Sequence, residues 1–122
     1  MKIIYEYIWL DNNDNFRSKT KVTTKKLSIS DEIPGMWNYD GSSTNQANGK
    51  DSEVYIKPIA VYPDPFRKIE YCKCYLVLCD TWLPNGNPHY DNKRPEALKI
   101  FNSEKVRKEE PMFGLEQEFF FY

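Results

Sequence analysis

The chain has 122 residues, of which 40% are hydrophobic and 16% are aromatic. This is enough for one domain with a core, and the aromatic content excludes a disordered chain. With 17 basic and 18 acidic residues, the net charge of −1 provides no electrostatic attraction to nucleic acid or to an anionic membrane. No window approaches the roughly 18 apolar residues of a membrane-spanning helix, and the N-terminus lacks a signal-peptide pattern.

The three cysteines, Cys72, Cys74 and Cys79, are clustered and odd in number. Cys72 and Cys74 are too close in sequence on a strand for an easy disulfide, and a single C-x-C lacks the second ligand pair of a structural zinc site. We therefore expect reduced, structural cysteines, which are typical of a cytoplasmic protein.

The N-terminal part predicts a β-hairpin. Residues 3–10 and residues 16–22 are rich in residues that favour strands. Residues 11–15 between them predict a turn, because short polar side chains bond back to the backbone there. Three basic residues alternate along the second strand: Arg17, Lys19 and Lys21. We interpret them as a solvated face, since no glycine-rich segment accompanies them.

The middle of the chain predicts a loop, a turn and an irregular strand. Residues 23–35 are polar and favour a connecting loop. A short apolar piece at 36–39 precedes the turn-forming run D-G-S-S-T-N-Q at 40–46, and most such runs are plain turns. Residues 53–60 predict an edge or irregular strand, because Pro58 cannot donate to a ladder.

The next segment predicts a central strand and two helices. Residues 74–82 are nearly continuously apolar, which is typical of a strand inside a sheet. His89, the only histidine, follows in a proline-rich turn, and we expect it at the surface. Asp91 or Asn92 can cap a helix, and Ser103 can cap a second, shorter one.

The last ten residues, F-G-L-E-Q-E-F-F-F-Y, predict a final strand. On a strand, Glu116 and Glu118 share one face about 6–7 Å apart. Two carboxylates among aromatic residues are costly to bury without a cation, and Mg²⁺ prefers carboxylate oxygen. Glu116 and Glu118 are therefore candidate metal ligands. The order of the elements favours an α+β fold with a small sheet early in the chain.

Several stretches together resemble the N-terminal part of a glutamine synthetase of the eukaryotic, plant-like type. They include E-Y-I-W from Glu6, W-N-Y-D-G-S-S-T from Trp37, D-P-F-R from Asp64 and G-L-E-Q-E from Gly114. Their order and approximate spacing agree over essentially the whole chain. One departure is Pro95, which stands where the plant pattern has a histidine after Asn-Lys-Arg.

The resemblance implies an ATP-dependent ligase that joins ammonia to glutamate and uses Mg²⁺ or Mn²⁺. It implies a β-grasp-like N-terminal domain at residues 1–90. Residues 91–122 would be a helix and the first strand of a truncated catalytic domain. Asp40 and Ser43 match the ammonium site that is shared with the neighbouring subunit. Glu116 and Glu118 match metal ligands.

The resemblance also implies partners. In this family the D-G-S-S loop of one subunit completes the site of the next, so we expect a homo-oligomer or association with full-length glutamine synthetase subunits. The family's remaining ligands lie beyond residue 122, so we expect the chain to be inactive alone. One alternative is a non-catalytic interaction module that joins or caps a full-length oligomer. Another is a decayed reading frame with no function.

Overall fold

The computed structural model describes residues 1–24 and 34–122. They fall into two compact units, Met1–Asn92 and Lys93–Tyr122. The first unit contains five strands: β1 Lys2–Leu10, β2 Phe16–Thr23, β3 Trp37–Asp40, β4 Glu53–Pro63 and β5 Cys72–Trp82. The second contains the helices α1 Arg94–Phe101 and α2 Glu104–Glu109. Across the described ranges, neither helix has the length and hydropathy of a membrane span.

The strands form one mixed sheet in the order β2-β1-β5-β4-β3. β1 and β5 pair in parallel at its centre, with Lys2 opposite Cys72 and Ile8 opposite Leu78. The other neighbouring pairs are antiparallel. The prediction of a central strand from the apolar run at 74–82 is therefore confirmed.

β4 is irregular at its proline, as predicted. β3 pairs with residues 53–56 of β4 and does not reach Pro58. Pro58 therefore lies in the part of β4 that pairs with β5 on one side and has no paired strand on the other. The register shifts between Pro58 and Ala60. Proline is tolerated here because a missing N–H costs least at a bulge with one open side.

The core lies on the face formed by the odd-numbered residues of β1. Ile3, Tyr5, Tyr7 and Trp9 are buried, as the two-residue period of a strand requires. The rings of Tyr7 and Trp37 lie 5.4 Å apart, and those of Trp9 and Tyr39 lie 4.5 Å apart. Since β3 is three strands away from β1 in the sheet, these contacts show that the sheet curls until β3 covers β1.

The β1–β2 turn is organised by Asp11. Its Oδ1 accepts hydrogen bonds from the backbone N–H groups of Asn13 at 2.8 Å and Asn15 at 3.0 Å, as the predicted turn requires. Its Oδ2 accepts one from Nε of Arg17 at 2.8 Å. Burial alone would raise the pKa of Asp11, but these hydrogen bonds outweigh it and lower the pKa to about 2.

The basic residues of β2 are more engaged than predicted. Arg17 and Lys21 are exposed, but Arg17 is paired with Asp11. Lys19 is half-buried, and its Nζ donates to the carbonyl oxygen of Asn38 at 2.8 Å. The same Nζ lies 3.9 Å from the ring centre of Trp37, close enough for a cation–π contact. The prediction of a solvated face therefore agrees with the exposure of Arg17 and Lys21, and Lys19 departs from it.

Two predictions for the C-terminal unit need correction. Residues 110–122, all of them described, contain neither strand nor helix, so the predicted final strand is absent. Glu116 and Glu118 therefore do not share a strand face, because a strand requires a hydrogen-bonded partner and not only propensity. α1 is preceded by Lys93 as its cap residue, instead of Asp91 or Asn92. α2 follows Ser103, as predicted.

Candidate functional site

The candidate site is a cleft of about 290 Å³ where β3 ends and the 3₁₀ turn Gly41–Thr44 begins. Its walls include Arg17 and Lys19 of β2, Asp40 and Ser43, and the rings of Trp9 and Tyr39. Cations, a carboxylate and a hydroxyl group thus meet beside aromatic surfaces. The curl of the sheet creates the cleft, since it brings β1, β2 and β3 together.

Asp40 caps the 3₁₀ turn and stays ionised. Its Oδ1 accepts hydrogen bonds from the hydroxyl of Ser42 at 2.6 Å and from the backbone N–H of Ser42 at 3.0 Å. The Ser42 hydroxyl, the Ser42 amide and the Ser52 side chain lower the pKa of Asp40 below its ordinary 3.8. Asp40 is also exposed, so it presents a carboxylate anion at the rim of the cleft.

Ser43 lies in the same turn and is also exposed. Its Oγ donates to the backbone carbonyl of Asp40 at 2.9 Å, which leaves the lone pairs of the hydroxyl oxygen available as acceptors. The structure therefore brings together Asp40 and Ser43, the two site residues identified in the D-G-S-S run. It places the cations of β2 beside them, which their sequence positions did not indicate.

Gly41 fixes the turn to the sheet. Its N–H donates to the carbonyl of Ser52 at 2.6 Å, and its own carbonyl accepts from the amides of Gln46 at 2.9 Å and Ala47 at 3.2 Å. A Cβ at Gly41 would lie 2.5 Å from Cγ2 of Val54, a distance that real side chains do not reach. This close approach explains why glycine stands between Asp40 and the two serines.

His89 is not among the residues that line the cleft, but it contacts Gln46, which follows the site turn. The side chain is only 1% exposed, so the predicted surface position is wrong. Its Nε2 lies 2.6 Å from the carbonyl oxygen of Gln46, and its Nδ1 lies 2.6 Å from Oδ1 of Asp91. No local pattern could have indicated this, because Gln46 is 43 positions away in the chain.

Glu116 and Glu118 lie in the irregular, exposed residues 110–122. Within the ranges 1–24 and 34–122, no group of three or more His, Cys, Asp or Glu side chains could hold a metal ion. Hard divalent cations take six or more oxygen ligands, some of them water. Two exposed carboxylates therefore do not fit a metal centre by themselves.

By its fold and its turn, the protein is a small mixed-sheet domain. It presents an acidic, hydroxyl-bearing turn over an aromatic cleft. The fold is similar to that in a cryo-EM structure of Plasmodium falciparum glutamine synthetase, with a TM-score of 0.59 and 18% identity. The match covers 87% of this chain and 20% of that one. At this identity it shows the fold alone, a mixed sheet with few helices. No family model matches the chain.

Sequence comparison then identifies the relatives. The chain is 47% identical over 117 residues to glutamine synthetase of Tuber borchii, and 47% over 118 residues to that of Saccharomyces cerevisiae. It is 48% identical over 119 residues to the chloroplastic/mitochondrial glutamine synthetase of Arabidopsis thaliana. These matches cover 96%, 97% and 97% of this chain, but only 31%, 30% and 27% of the relatives. The resemblance seen in the motifs is confirmed: the chain is homologous to the N-terminal part of glutamine synthetases.

Proposed function

We propose that the chain is the N-terminal segment of a glutamine synthetase. In this proposal residues 1–90 are a β-grasp-like domain, and residues 91–122 open the catalytic domain. The whole enzyme joins ammonia to glutamate with ATP, through a γ-glutamyl phosphate. The observation that carries the proposal is the 47% identity over 96% of the chain, a stretch that includes the Asp40 turn.

Asp40 binds the ammonium ion in this proposal. A carboxylate with a lowered pKa stays anionic at neutral pH and accepts hydrogen bonds from N–H groups of NH₄⁺. Ser43 offers a hydroxyl oxygen as a second acceptor, and Trp9 and Tyr39 line the same cleft. A general base works best when its pKa is near the working pH, so Asp40 contributes more through cation binding than through basicity.

The proposal also includes a metal site and a neighbouring subunit. Glu116 and Glu118 are proposed as ligands of the Mg²⁺ or Mn²⁺ ions together with further ligands, because within residues 1–24 and 34–122 no group of three or more His, Cys, Asp or Glu side chains could hold a metal ion. The turn with Asp40 and Ser43 is proposed to serve the site of a neighbouring subunit in an oligomer. The three free cysteines agree with a cytoplasmic location.

The experiment is a chimera in which residues 1–122 replace the matching part of the Saccharomyces cerevisiae enzyme. Asp40→Asn in the chimera removes the anion, and we expect the KM for ammonium to rise roughly ten- to hundredfold, as for the loss of a charge-assisted hydrogen bond. The KM for glutamate should change little. Asp51→Asn is the matched control, because Asp51 is exposed and lies outside the cleft. An inactive chimera, or an unchanged ammonium KM in Asp40→Asn, would contradict the proposal.

A second candidate function is a non-catalytic interaction module. The observation that favours it is that the first unit has its own core and carries the Asp40 turn at its surface. Such a unit can present the turn to a full-length glutamine synthetase without performing chemistry. Size-exclusion chromatography of the 122-residue chain mixed with the full-length Saccharomyces cerevisiae enzyme tests this. Separate elution at micromolar concentrations would exclude a stable complex with that enzyme.

For the first proposal, the 122-residue chain alone should form no γ-glutamyl hydroxamate above background with glutamate, hydroxylamine, ATP and Mg²⁺. The reason is that two carboxylates do not complete a metal site. Measurable turnover by the purified chain would show that this reasoning is wrong.

A further inference from the structure

β3 carries Asp40 at the end of an open sheet edge. Among the described strands, β3 pairs with β4 alone, and it lies at the edge of the sheet opposite to β2. The N–H of Gly41 donates to the carbonyl of Ser52, which precedes β4, at 2.6 Å. Because the backbone groups of an antiparallel ladder alternate between the partner strand and the open side, those of Asn38 and Asp40 point away from β4. The position of Asp40 therefore depends on what holds this open side.

Two side chains donate to the open side of β3. The Oγ of Ser43 donates to the carbonyl of Asp40 at 2.9 Å, and the Nζ of Lys19 donates to the carbonyl of Asn38 at 2.8 Å. The Ser43 bond stays within one turn. Lys19 belongs to β2, so its bond joins the two edges of the curled sheet.

A second contact holds the Lys19 ammonium group in place. Its Nζ lies 3.9 Å from the centre of the Trp37 ring. Lys19 is opposite Tyr7 in the β1–β2 ladder, and the ring of Tyr7 packs edge-on against that of Trp37. A cation–π contact strengthens as the cation loses water, and Lys19 is half-buried. The ring and the carbonyl both belong to β3, so both contacts hold this strand.

Asn38 transmits the position of the strand to Asp40. Its Nδ2 donates to Oε1 of Glu53, and Glu53 lies opposite Asp40 in the β3–β4 ladder. Asn38 is thus held by Lys19 on the open side and by Glu53 on the side of β4. Asp40 follows two residues later and lines the same cleft as Lys19. Losing the Lys19 contacts would therefore let the Asp40 carboxylate move relative to the cleft.

The charge of Lys19 alone would act in the opposite direction. Lys19 and Asp40 line one cleft, and a fixed cation repels a bound ammonium ion. Removing only a repelling charge would strengthen ammonium binding, whereas removing a support of Asp40 would weaken it. The sign of the effect therefore separates the two roles.

We propose that Lys19 is a positioning residue: its ammonium group holds the open side of β3, and with it the turn that carries Asp40, against β2. The placement of the turn stands independently of the proposed function. Its consequence for ammonium binding rests on that function.

The first test uses the wild-type 122-residue chain and needs no variant to fold. Protons above the face of an indole ring are shielded, so the assigned ε-methylene protons of Lys19 should resonate upfield of those of exposed lysines in the NMR spectrum. The position of Nζ over the Trp37 ring is the reason. Lys19 signals at the shifts of an exposed lysine would overturn the proposal.

The second test measures amide hydrogen exchange in variants of the same chain. Lys19→Met keeps the aliphatic stem but removes the cation, and exchange at Gly41 and Ser42 should become roughly three- to tenfold faster, as for the net loss of a half-buried hydrogen bond. Lys19→Arg keeps a cation that can donate to a carbonyl and stack on an indole, so it should restore most of the protection.

Lys21→Met is the matched control for these variants. Lys21 lies on the same face of β2, but it is exposed, its Nζ is 5.6 Å from the Trp37 ring centre, and it is not among the residues that line the cleft. Exchange at Gly41 and Ser42 should stay at the wild-type rate. Unchanged exchange in Lys19→Met, or equal acceleration in Lys21→Met, would overturn the proposal.

The third test places Lys19→Met in the chimera with the Saccharomyces cerevisiae enzyme. The KM for ammonium should rise roughly three- to tenfold while the KM for glutamate changes little, and Lys19→Arg should recover the ammonium KM. A lower ammonium KM in Lys19→Met would show that Lys19 acts by repulsion and would overturn the positioning role. The NMR and exchange measurements use no ligase activity, so their failure and that of the proposed function are distinguishable.

Discussion

Gly41→Ala is the sharpest test of how the site turn is attached to the sheet. The new Cβ would lie 2.5 Å from Cγ2 of Val54, 3.0 Å from Cβ of Ala47 and 3.2 Å from the carbonyl oxygen of Ser52. Carbon atoms pack at about 3.5–4.0 Å, so Val54 or the turn must move by roughly 1 Å. Val54 is fully buried and β-branched, so it has few other rotamers. The turn therefore moves, and its 2.6 Å bond from Gly41 to Ser52 weakens.

The size of the effect follows from two opposing terms. Overpacking a buried position costs about 1–3 kcal/mol, and three simultaneous contacts favour the upper end of that range. Replacing glycine by alanine stabilises the folded state by about 0.4–1 kcal/mol, because it lowers the conformational entropy of the unfolded chain. We therefore expect a net loss of about 2 kcal/mol in the free energy of unfolding. For a unit of this size, that lowers the melting temperature by about 8–16 °C.

The assay is urea and thermal unfolding followed by circular dichroism. Gly49→Ala is the matched control, because a Cβ at Gly49 meets nothing within 4 Å, and it should change the unfolding free energy by less than about 0.5 kcal/mol. Val54→Ala combined with Gly41→Ala should cost less than the two single changes added together, since it removes the clashing methyl group. A Gly41→Ala chain as stable as Gly49→Ala would refute the steric reasoning.

Three further predictions concern charges and the C-terminal tail. Folding lowers the pKa of Asp11 from 3.8 to about 2, so its contribution to stability is present above that ordinary value and is lost as pH falls towards 2. The urea midpoint should fall over this pH range, and it should fall less in Asp11→Asn. An equal dependence of the urea midpoint on pH in both chains would contradict the lowered pKa of Asp11. Arg67→Ala leaves Glu6, 13% exposed, without its cation, and should cost about 1–3 kcal/mol in urea unfolding. Glu6→Gln should recover part of that cost, and no recovery would argue against the pair. Removing residues 114–122 should raise solubility, because Phe120 and Phe121 are 87% and 92% exposed; a less soluble shortened chain, measured by sedimentation, would contradict this.

The strands of the first unit follow from local patterns. β1 alternates buried and less buried residues, and Asp11 closes its hairpin through bonds to its own neighbours. The apolar run of β5 and the irregularity at Pro58 were also visible in the sequence. These features depend on the residues within one or two elements, which is why sequence patterns predict them.

The remaining features depend on distant partners. His89 is buried by Gln46 and Asp91, and only the folded chain brings Gln46 to it. Lys19 of β2 reaches Asn38 of β3 because the sheet curls, which no pattern within β2 reveals. The aromatic tail has the propensity of a strand, but a strand needs a second strand to pair with. Its composition alone therefore predicts a strand that does not form.

The parallel pairing of β1 with β5 has a consequence for the order of folding. Among the described strands, it is the only ladder that joins the β1–β2 hairpin to the group β3, β4 and β5. During synthesis the hairpin is complete long before β5 emerges. Until then, one edge of β1 has no paired strand and its aromatic face is not packed. Closing this non-local pair carries a loop-closure entropy cost and makes folding slow, on a scale of milliseconds to seconds. The newly made hairpin is therefore the stage at which the chain is most exposed to association with other chains.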